Sequence, residues 1–246
     1  MIIGSQLLYY DTLSSTNTTA LQMIIDEEPV EGTVVYAGYQ TAGKGCGKNN
    51  WESERNKNLT FSIILYPQYI LAEEQFILSE SLSLGICDFI SRYLPSCSIK
   101  WPNDIYTEDK KIAGILIENS LLGSSLKSSV AGIGLNINQT VFSDSIPDPV
   151  SMKLLTGKDF DLNIILQELL SDLDKRYKQL LYGDREIIKQ EYTSSLYRYE
   201  EWHNYKSSDR IFKGRITGIS DQGHLIMEDQ KGDIIKYSFK EIAYLP

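Results

Sequence analysis

Asp161 to Tyr182 reads DLNIILQELLSDLDKRYKQLLY, and no other segment so limits the folds open to this chain. Leu162, Ile165, Leu166, Leu169, Leu170, Leu173, Tyr177, Leu180 and Leu181 fall on one broad face at helical spacing. A helix of this kind is stable only when another layer covers that face. Strands supply most of the remaining pattern. GTVVYAGYQ is β-branched and aromatic, and NLTFSIILYP is a second strand closed by Pro67. A helical pattern runs from Glu73 to Leu94 through Phe76, Ile77, Leu84, Phe89 and Ile90. SIKWPND and KKIAGILIENS read as strands joined by the polar turn YTEDK, and SSVAGIGLNIN as a further apolar strand. Near the start, LSSTNTTALQMIIDE opens with capping residues and sets Ala20, Leu21, Ile24 and Ile25 at helical spacing. A shorter helical patch surrounds REIIKQEYTSSLY. After HNYKSSD the texture changes to short strands, RIFKGRITGIS, HLIMED and IIKYSF, split by the turns DQG and QKGD. This tail is too short for a large core of its own. The expectation is an α+β fold, with residues 1–200 as the main domain and 201–246 as a small appended β-barrel.

Composition removes several functions. The net charge of −9 argues against a general nucleic-acid binder, though a local basic pocket for a small anion remains open. Cys46, Cys87 and Cys97 lack C-x-x-C spacing and cannot all pair, which suits a reducing compartment. The only histidines, His203 and His224, come late, so a histidine zinc site or a Ser/His/Asp triad has little support. The N-terminus lacks the basic region and apolar core of a signal peptide, and no run reaches membrane-spanning length. A cytoplasmic, soluble protein with no membrane or nucleic-acid partner is expected. Nothing ahead of the first motif is long enough for a helix-turn-helix domain.

QTAGKGCGKNNW, Gln40 to Trp51, looks like a phosphate loop but fits neither familiar template. A Walker loop needs glycine where Ala42 stands and Ser or Thr where Asn49 stands. A dinucleotide fingerprint starting at Gly43 or Gly45 meets Lys48 or Asn50 in its third glycine place. In KWPND the Trp-Pro step forces extended backbone at Trp101 and removes one amide donor, so Lys100, Asn103 and Asp104 are presented together at a strand edge or turn. Lys111 opens a strand whose Ala113 and Gly114 admit close approach. Each signal also has an ordinary explanation: a surface Asn-Asp turn, a solvated lysine pair, an N-cap in SSTN, a packed strand in GIGLNIN.

Their succession is specific. SSTN, QTAGKG…W, KWPND, KKIAGILIE and GIGLNIN, in this order, resemble the biotin–protein ligases (biotin–acetyl-CoA-carboxylase ligases). The likeness runs from about Leu13 through Asn138 and continues in DPVSMKLLTG. The last strands are similar to that family's small Src-homology-type C-terminal barrel. The resemblance implies a monofunctional ligase that uses ATP, biotin and Mg2+, forms biotinyl-5′-adenylate, and passes biotin to a lysine of a biotin carboxyl carrier protein. A homodimer is a further possibility.

By the same resemblance Lys111 neutralises the biotin carboxylate and the α-phosphate, and Asp104 is a catalytic carboxylate or magnesium ligand. Ser15, Thr16, Asn17, Gln40, Gly43, Gly114 and Leu116, with Lys111, hold biotin. Lys44, Gly45, Cys46, Trp51, Asn103 and Asn136 hold the nucleotide. One departure stands out: the family loop usually reads Gly-Arg-Gly-Arg/Gln-x-Gly, whereas this chain has Gly43-Lys44-Gly45-Cys46-Gly47-Lys48. Lysine lacks arginine's planar two-pronged contact, so the loop is expected to retain the adenylate less tightly. The rival readings are a lipoate ligase or octanoyltransferase of the same superfamily, and a non-catalytic biotin-binding paralogue.

Overall fold

The computed structural model describes every residue except Lys48, Asp209 and Pro246. A seven-stranded mixed sheet forms the centre, in the order β1 (Gln6–Tyr10), β2 (Thr33–Ala37), β3 (Leu59–Leu65), β7 (Ser125–Leu135), β6 (Lys110–Leu122), β5 (Asp104–Thr107) and β4 (Ser98–Lys100). β1 runs parallel to β2, and every other neighbour is antiparallel. Side chains alternate across the sheet. Val35, Ile64 and Val130 meet Ala20 and Met23 of α1 (Thr16–Asp26) on one face. Val34, Ile63, Leu65, Ala131 and Ile133 point into the larger core on the other.

That larger core explains the amphipathic segment. It forms α4 (Leu162–Tyr182), capped by the Asp161 carboxylate, which accepts the amides of Asn163 and Ile164 at 2.8 and 3.4 Å. Ile165, Leu166, Leu169, Leu170, Leu173, Tyr177 and Leu180 are buried, with Leu162 and Leu181 at the margin. Each fully buried side chain of this size contributes about 1.5–3 kcal/mol of transfer free energy. The layer it covers is α2 (Phe76–Ile90), buried on almost every side. Gly85 lets the two helices close, since a Cβ there would meet Leu173 at 3.0 Å. The helical pattern from Glu73 splits into a 3-10 turn at Ala72–Glu74 and then α2. In α1 three of the four expected residues face inward: Ala20 is buried and Leu21 and Ile24 pack beside it, whereas Ile25 is 74% exposed and Met23 is buried in its stead.

α2 also carries an anomaly. Glu80 is 4% exposed and its Oε2 has no hydrogen-bond partner among the described residues. Burial pushes its carboxyl up to about 7, against the opposing charge of Lys189 and with that of Asp221 and Glu186.

The C-terminal strands correct the expected barrel. They form a five-stranded open sheet, β11 (Ile234–Tyr237), β10 (Leu225–Asp229), β9 (Arg210–Ile219), β8 (His203–Ser207) and β12 (Ala243–Tyr244), whose end strands do not pair with each other. Closure needs bonding between the first and last strands, and β12 pairs only through Ala243 and Tyr244. The sheet closes its inner face against the rest of the chain instead. Tyr205, Ile216, Leu225, Met227 and Tyr237 join the same core as α2 and α5 (Arg185–Ser194). Trp101 Nε1 donates to Gly223 O at 2.9 Å across that boundary.

Candidate active site

The glycine-rich loop is a small hairpin. Trp51 N donates to Gly43 O at 2.9 Å and Gly45 N to Asn49 O at 2.8 Å. A Cβ on Gly43 would stand 2.4 Å from Trp51 O, so backbone approach explains this glycine without any ligand. The Gly45 amide is therefore spent within the hairpin and is not a free phosphate donor. Lys48 of the expected loop lies outside the described residues.

Trp51, at the hairpin's end, lies on the central sheet where β6 and β7 place Gly114 opposite Gly134. A Cβ on Gly134 would stand 2.2 Å from Trp51 Cε2, and one on Gly114 3.2 Å from its Cζ3. Two register-matched glycines thus make a seat for one indole. Two places along β7, a Cβ on Gly132 would stand 2.1 Å from Asn17 Oδ1. The glycines of AGIGLNIN admit a tryptophan and an asparagine.

Lys111 and Asp104 come from the β5–β6 hairpin. A register shift between Ile105 and Tyr106 sets Tyr106 against Lys111 and lets the ion pair form. Lys111 Nζ lies 2.6 Å from Asp104 Oδ1, with side chains 24% and 26% exposed. The same ammonium is 5.8 Å from the Trp51 ring centroid. The Lys111 backbone is clamped by Lys111 N to Asp148 O at 2.8 Å and Val150 N to Lys111 O at 2.9 Å.

Two cavities meet at this pair. The first, about 40 Å3, is lined by Ser15, Thr16, Asn17, Gln40, Lys44, Gly45, Cys46, Trp51, Asn103, Asp104, Lys111, Gly114 and Leu116, with Phe61, Ile115, Gly132, Ile133 and Gly134. The second, about 520 Å3, shares Trp51, Asp104 and Lys111 and adds Asn136, Tyr106, Phe142 and Pro149 among others. Gly43 lines neither and faces a third groove with Thr41 and Ala42.

In the first cavity the polar groups hold one another. Gln40 Oε1 accepts from Thr16 N and Oγ1 at 2.7 and 3.1 Å. Ser62 Oγ is 2.8 Å from Thr16 Oγ1 and 2.6 Å from Asn17 Oδ1. Asn17 Nδ2 donates to Glu118 Oε2 at 2.8 Å, and Lys44 Nζ lies 3.6 Å from Glu118 Oε1. Lys44 is thereby turned toward the α1 side of the site. Ser15 is buried at the start of α1 but makes no side-chain cap. Burial raises the Cys46 thiol above its ordinary range, with Lys240 and Lys111 pulling it back and Asp104 adding to the rise. Trp51 Nε1 is buried with no partner among the described residues.

Asn136, expected at the nucleotide, and nearby Asn138 both bond to the backbone. Asn136 Nδ2 donates to Val150 O at 3.0 Å, and Asn138 bonds both ways with Phe160. Asn103 Nδ2 donates to Ile115 O at 2.9 Å. Sequence reasoning missed Ser62 and Glu118. Their signals were a serine within the apolar strand TFSIIL and the acid closing KKIAGILIE.

A model of the biotin/lipoate A/B protein ligase family matches residues 9–136, just over half of the chain. The chain belongs to this family. The resemblance read from the motifs is borne out at that level. The bifunctional ligase/repressor BirA of Bacillus subtilis (strain 168) is 32% identical over 237 residues, 94% of this chain and 72% of that protein. The biotin–[acetyl-CoA-carboxylase] ligase of Mycobacterium tuberculosis is 25% identical, over 94% of this chain and 86% of that one. The structure of the biotin protein ligase from Aquifex aeolicus in complex with biotin and ATP aligns with a TM-score of 0.79 and 25% identity. It covers 97% of this chain and 98% of its own. Similarity to other ligases thus continues past the family model into the C-terminal sheet. No helix among the described residues is long and apolar enough to cross a membrane.

Proposed function

We propose that this protein is a biotin–protein ligase that joins biotin to a lysine of a biotin carboxyl carrier protein through biotinyl-5′-adenylate. The observation that carries the reading is one ion pair, Lys111–Asp104, at the junction of two cavities. Residues 1–200 would hold both substrates, with biotin in the first cavity and the nucleotide in the second. Named relatives that act on biotin, and a similar fold solved with biotin and ATP, support the same assignment.

Biotin's carboxylate and the α-phosphate repel each other, so bond formation needs a cation at their meeting point. Lys111 is that cation. A carboxylate oxygen bonds to the α-phosphorus as its bond to the α,β-bridging oxygen breaks, and pyrophosphate leaves with the electron pair. The acceptor amine then attacks the acyl carbon, and AMP departs. Asp104 is placed to take the amine's proton. No group of three His, Cys, Asp or Glu suited to a metal occurs among the described residues. If a magnesium ion accompanies the nucleotide, Asp104 is the residue that would hold it, and the ion would offset phosphate charge.

Ligand sites usually offer about 300–1,000 Å3, and the first cavity offers about 40 Å3. Entry of biotin would thus lift Trp51 from its glycine seat and give its unpaired indole N–H a partner. Thr16, Asn17 and Gln40 would exchange the bonds they make within the cavity for the ureido ring, and the Ser15 hydroxyl would join them, against Gly114 and Leu116. Labelled biotin and labelled lipoate, each offered with ATP, test the proposal. Biotinyl-adenylate and biotin-dependent pyrophosphate release are expected. Formation of lipoyl-adenylate alone would transfer the site to lipoate chemistry, and binding of biotin without release would make the protein a sensor.

A further inference from the structure

KWPND carries three polar side chains, and the fold sends them to different places. Asn103 and Asp104 line the first cavity. The Lys100 ammonium instead donates to Tyr106 Oη at 3.0 Å. Tyr106 lines the second cavity together with Asp104 and Lys111. Strand geometry puts it there. Asp104 and Tyr106 stand two residues apart on β5 and share a face, while Ile105 between them turns into the core. The register of β5 and β6 then sets Tyr106 opposite Lys111.

Lys100 is fixed by aromatic rings. Its ammonium lies 4.6 Å from the ring centroid of Tyr106, 5.0 Å from that of Tyr244 and 5.9 Å from that of Tyr197. The Tyr197 ring stands 5.3 Å from that of Tyr106, and its hydroxyl is anchored by donating to Asp109 Oδ1 at 2.6 Å. An ammonium only donates, so Lys100 takes a lone pair of the Tyr106 oxygen and leaves the phenol's own hydrogen for another partner. Tyr106 is 5% exposed, and that hydrogen has no acceptor among the described residues. A buried donor without an acceptor is costly. A hydroxyl that already accepts from a cation also donates more strongly. Such a group opposite Lys111 is complementary to an anionic oxygen in the second cavity.

We propose that Tyr106 is a further substrate-binding residue of the ligase, its hydroxyl donating to an α-phosphate oxygen of the nucleotide, and that Lys100 is the positioning residue that aims and polarises that hydroxyl. The inference rests on the ligase reading. No proton is transferred in this role. Lys111 meets the phosphate as a charge, and Tyr106 meets it as a directed hydrogen bond from the neighbouring strand. The same contact serves ATP, the adenylate and departing AMP, since all three keep the α-phosphate. Lys100 acts only through Tyr106 and touches no substrate.

The test uses the full chain with Tyr106→Phe, which keeps the ring and removes only the hydroxyl, and with Lys100→Met, Lys100→Arg and the double variant Tyr106→Phe/Lys100→Met. In biotin-dependent adenylation, Tyr106→Phe is expected to raise KM for ATP about tenfold and weaken AMP product inhibition by a similar factor, the scale of one charge-assisted contact. KM for biotin stays unchanged. Lys100→Met should have the same effect at about threefold, Lys100→Arg should recover most of it, and the double variant should be no worse than Tyr106→Phe alone. Unchanged ATP KM and AMP inhibition in Tyr106→Phe would overturn the contact. Losses that multiply in the double variant would overturn the positioning role, since Lys100 would then act without Tyr106. Calorimetry with AMP and with adenosine separates this inference from the parent reading. If the native chain turns nothing over, weaker AMP binding by Tyr106→Phe with equal adenosine binding keeps the phosphate contact while the ligase reading falls. Equal AMP binding, no AMP binding by either chain, or an equal loss with adenosine removes the contact.

Discussion

The β5–β6 hairpin and the Gly43–Trp51 hairpin each present a lysine to the same cleft, under very different restraint. Lys111 springs from a strand inside a seven-stranded sheet, its backbone clamped on both sides and its ammonium 2.6 Å from Asp104. Lys44 sits on a loop held by a few backbone bonds, 43% exposed and 3.6 Å from Glu118. In the proposed ligase the first arrangement would fix a charge at the reacting atoms, where displacement of an ångström is costly. The second leaves a segment able to move when a ligand passes. The two lysines of one sequence signature thus have separate tasks.

The sharpest way to break this contrast is to remove each charge. Lys111→Ala should lower kcat/KM for biotin-dependent pyrophosphate release by about 10²–10³, the scale of losing one preorganised electrostatic contact. Lys44→Ala should change mainly KM, by about tenfold or less. Equal losses in kcat would show that the loop lysine also serves the transition state. Gly134→Ala comes next. Its methyl would collide with Trp51 at 2.2 Å, whereas Gly114→Ala meets the ring at 3.2 Å. Urea denaturation should find Gly134→Ala less stable by about 1–3 kcal/mol, the usual overpacking range, and Gly114→Ala less affected. If both are silent, the glycine seat has no structural weight. The smallest effect is expected from Lys44→Arg combined with Cys46→Arg. Adenylate release, followed in single-turnover trapping, should slow about threefold as planar contacts replace a point charge and a thiol. Faster release from the variant would show that the native loop already retains its intermediate well.

The parts legible in the sequence were those set by local pattern. α4 announced itself because its apolar residues recur at one period, and KWPND and KKIAGILIE marked the strand ends that meet at the ion pair. What stayed hidden depends on partners distant along the chain. β1 was not read as a strand because its residues are largely exposed at the sheet edge. Barrel closure is a relation between first and last strands, and short alternating segments look the same in an open sheet. Asn136 lines the second cavity, but its bond to the carbonyl of Val150 comes from a later segment and had no local signal. The carboxylate beside Lys44 was hidden in the same way, since Glu118 lies on β6, far from the loop in sequence.

Glu80 ties the whole scaffold to acidity. Its carboxyl titrates near 4.5 in an unfolded chain and at about 7 in the folded one, chiefly because burial disfavours its charge. The folded state therefore binds the extra proton more tightly. The stability this contributes is complete below the unfolded value and is lost as pH climbs through about 7, by roughly 3 kcal/mol at most. The central helix should loosen on the alkaline side of neutrality, while Lys189 and Asp221 beside it, each held ionised by the other, keep their charges. Melting curves at pH 6 and pH 8 should separate for the native chain and converge for Glu80→Gln, so that the helix packed between α4 and the β4–β6 edge of the sheet is one whose firmness follows the proton supply of its surroundings.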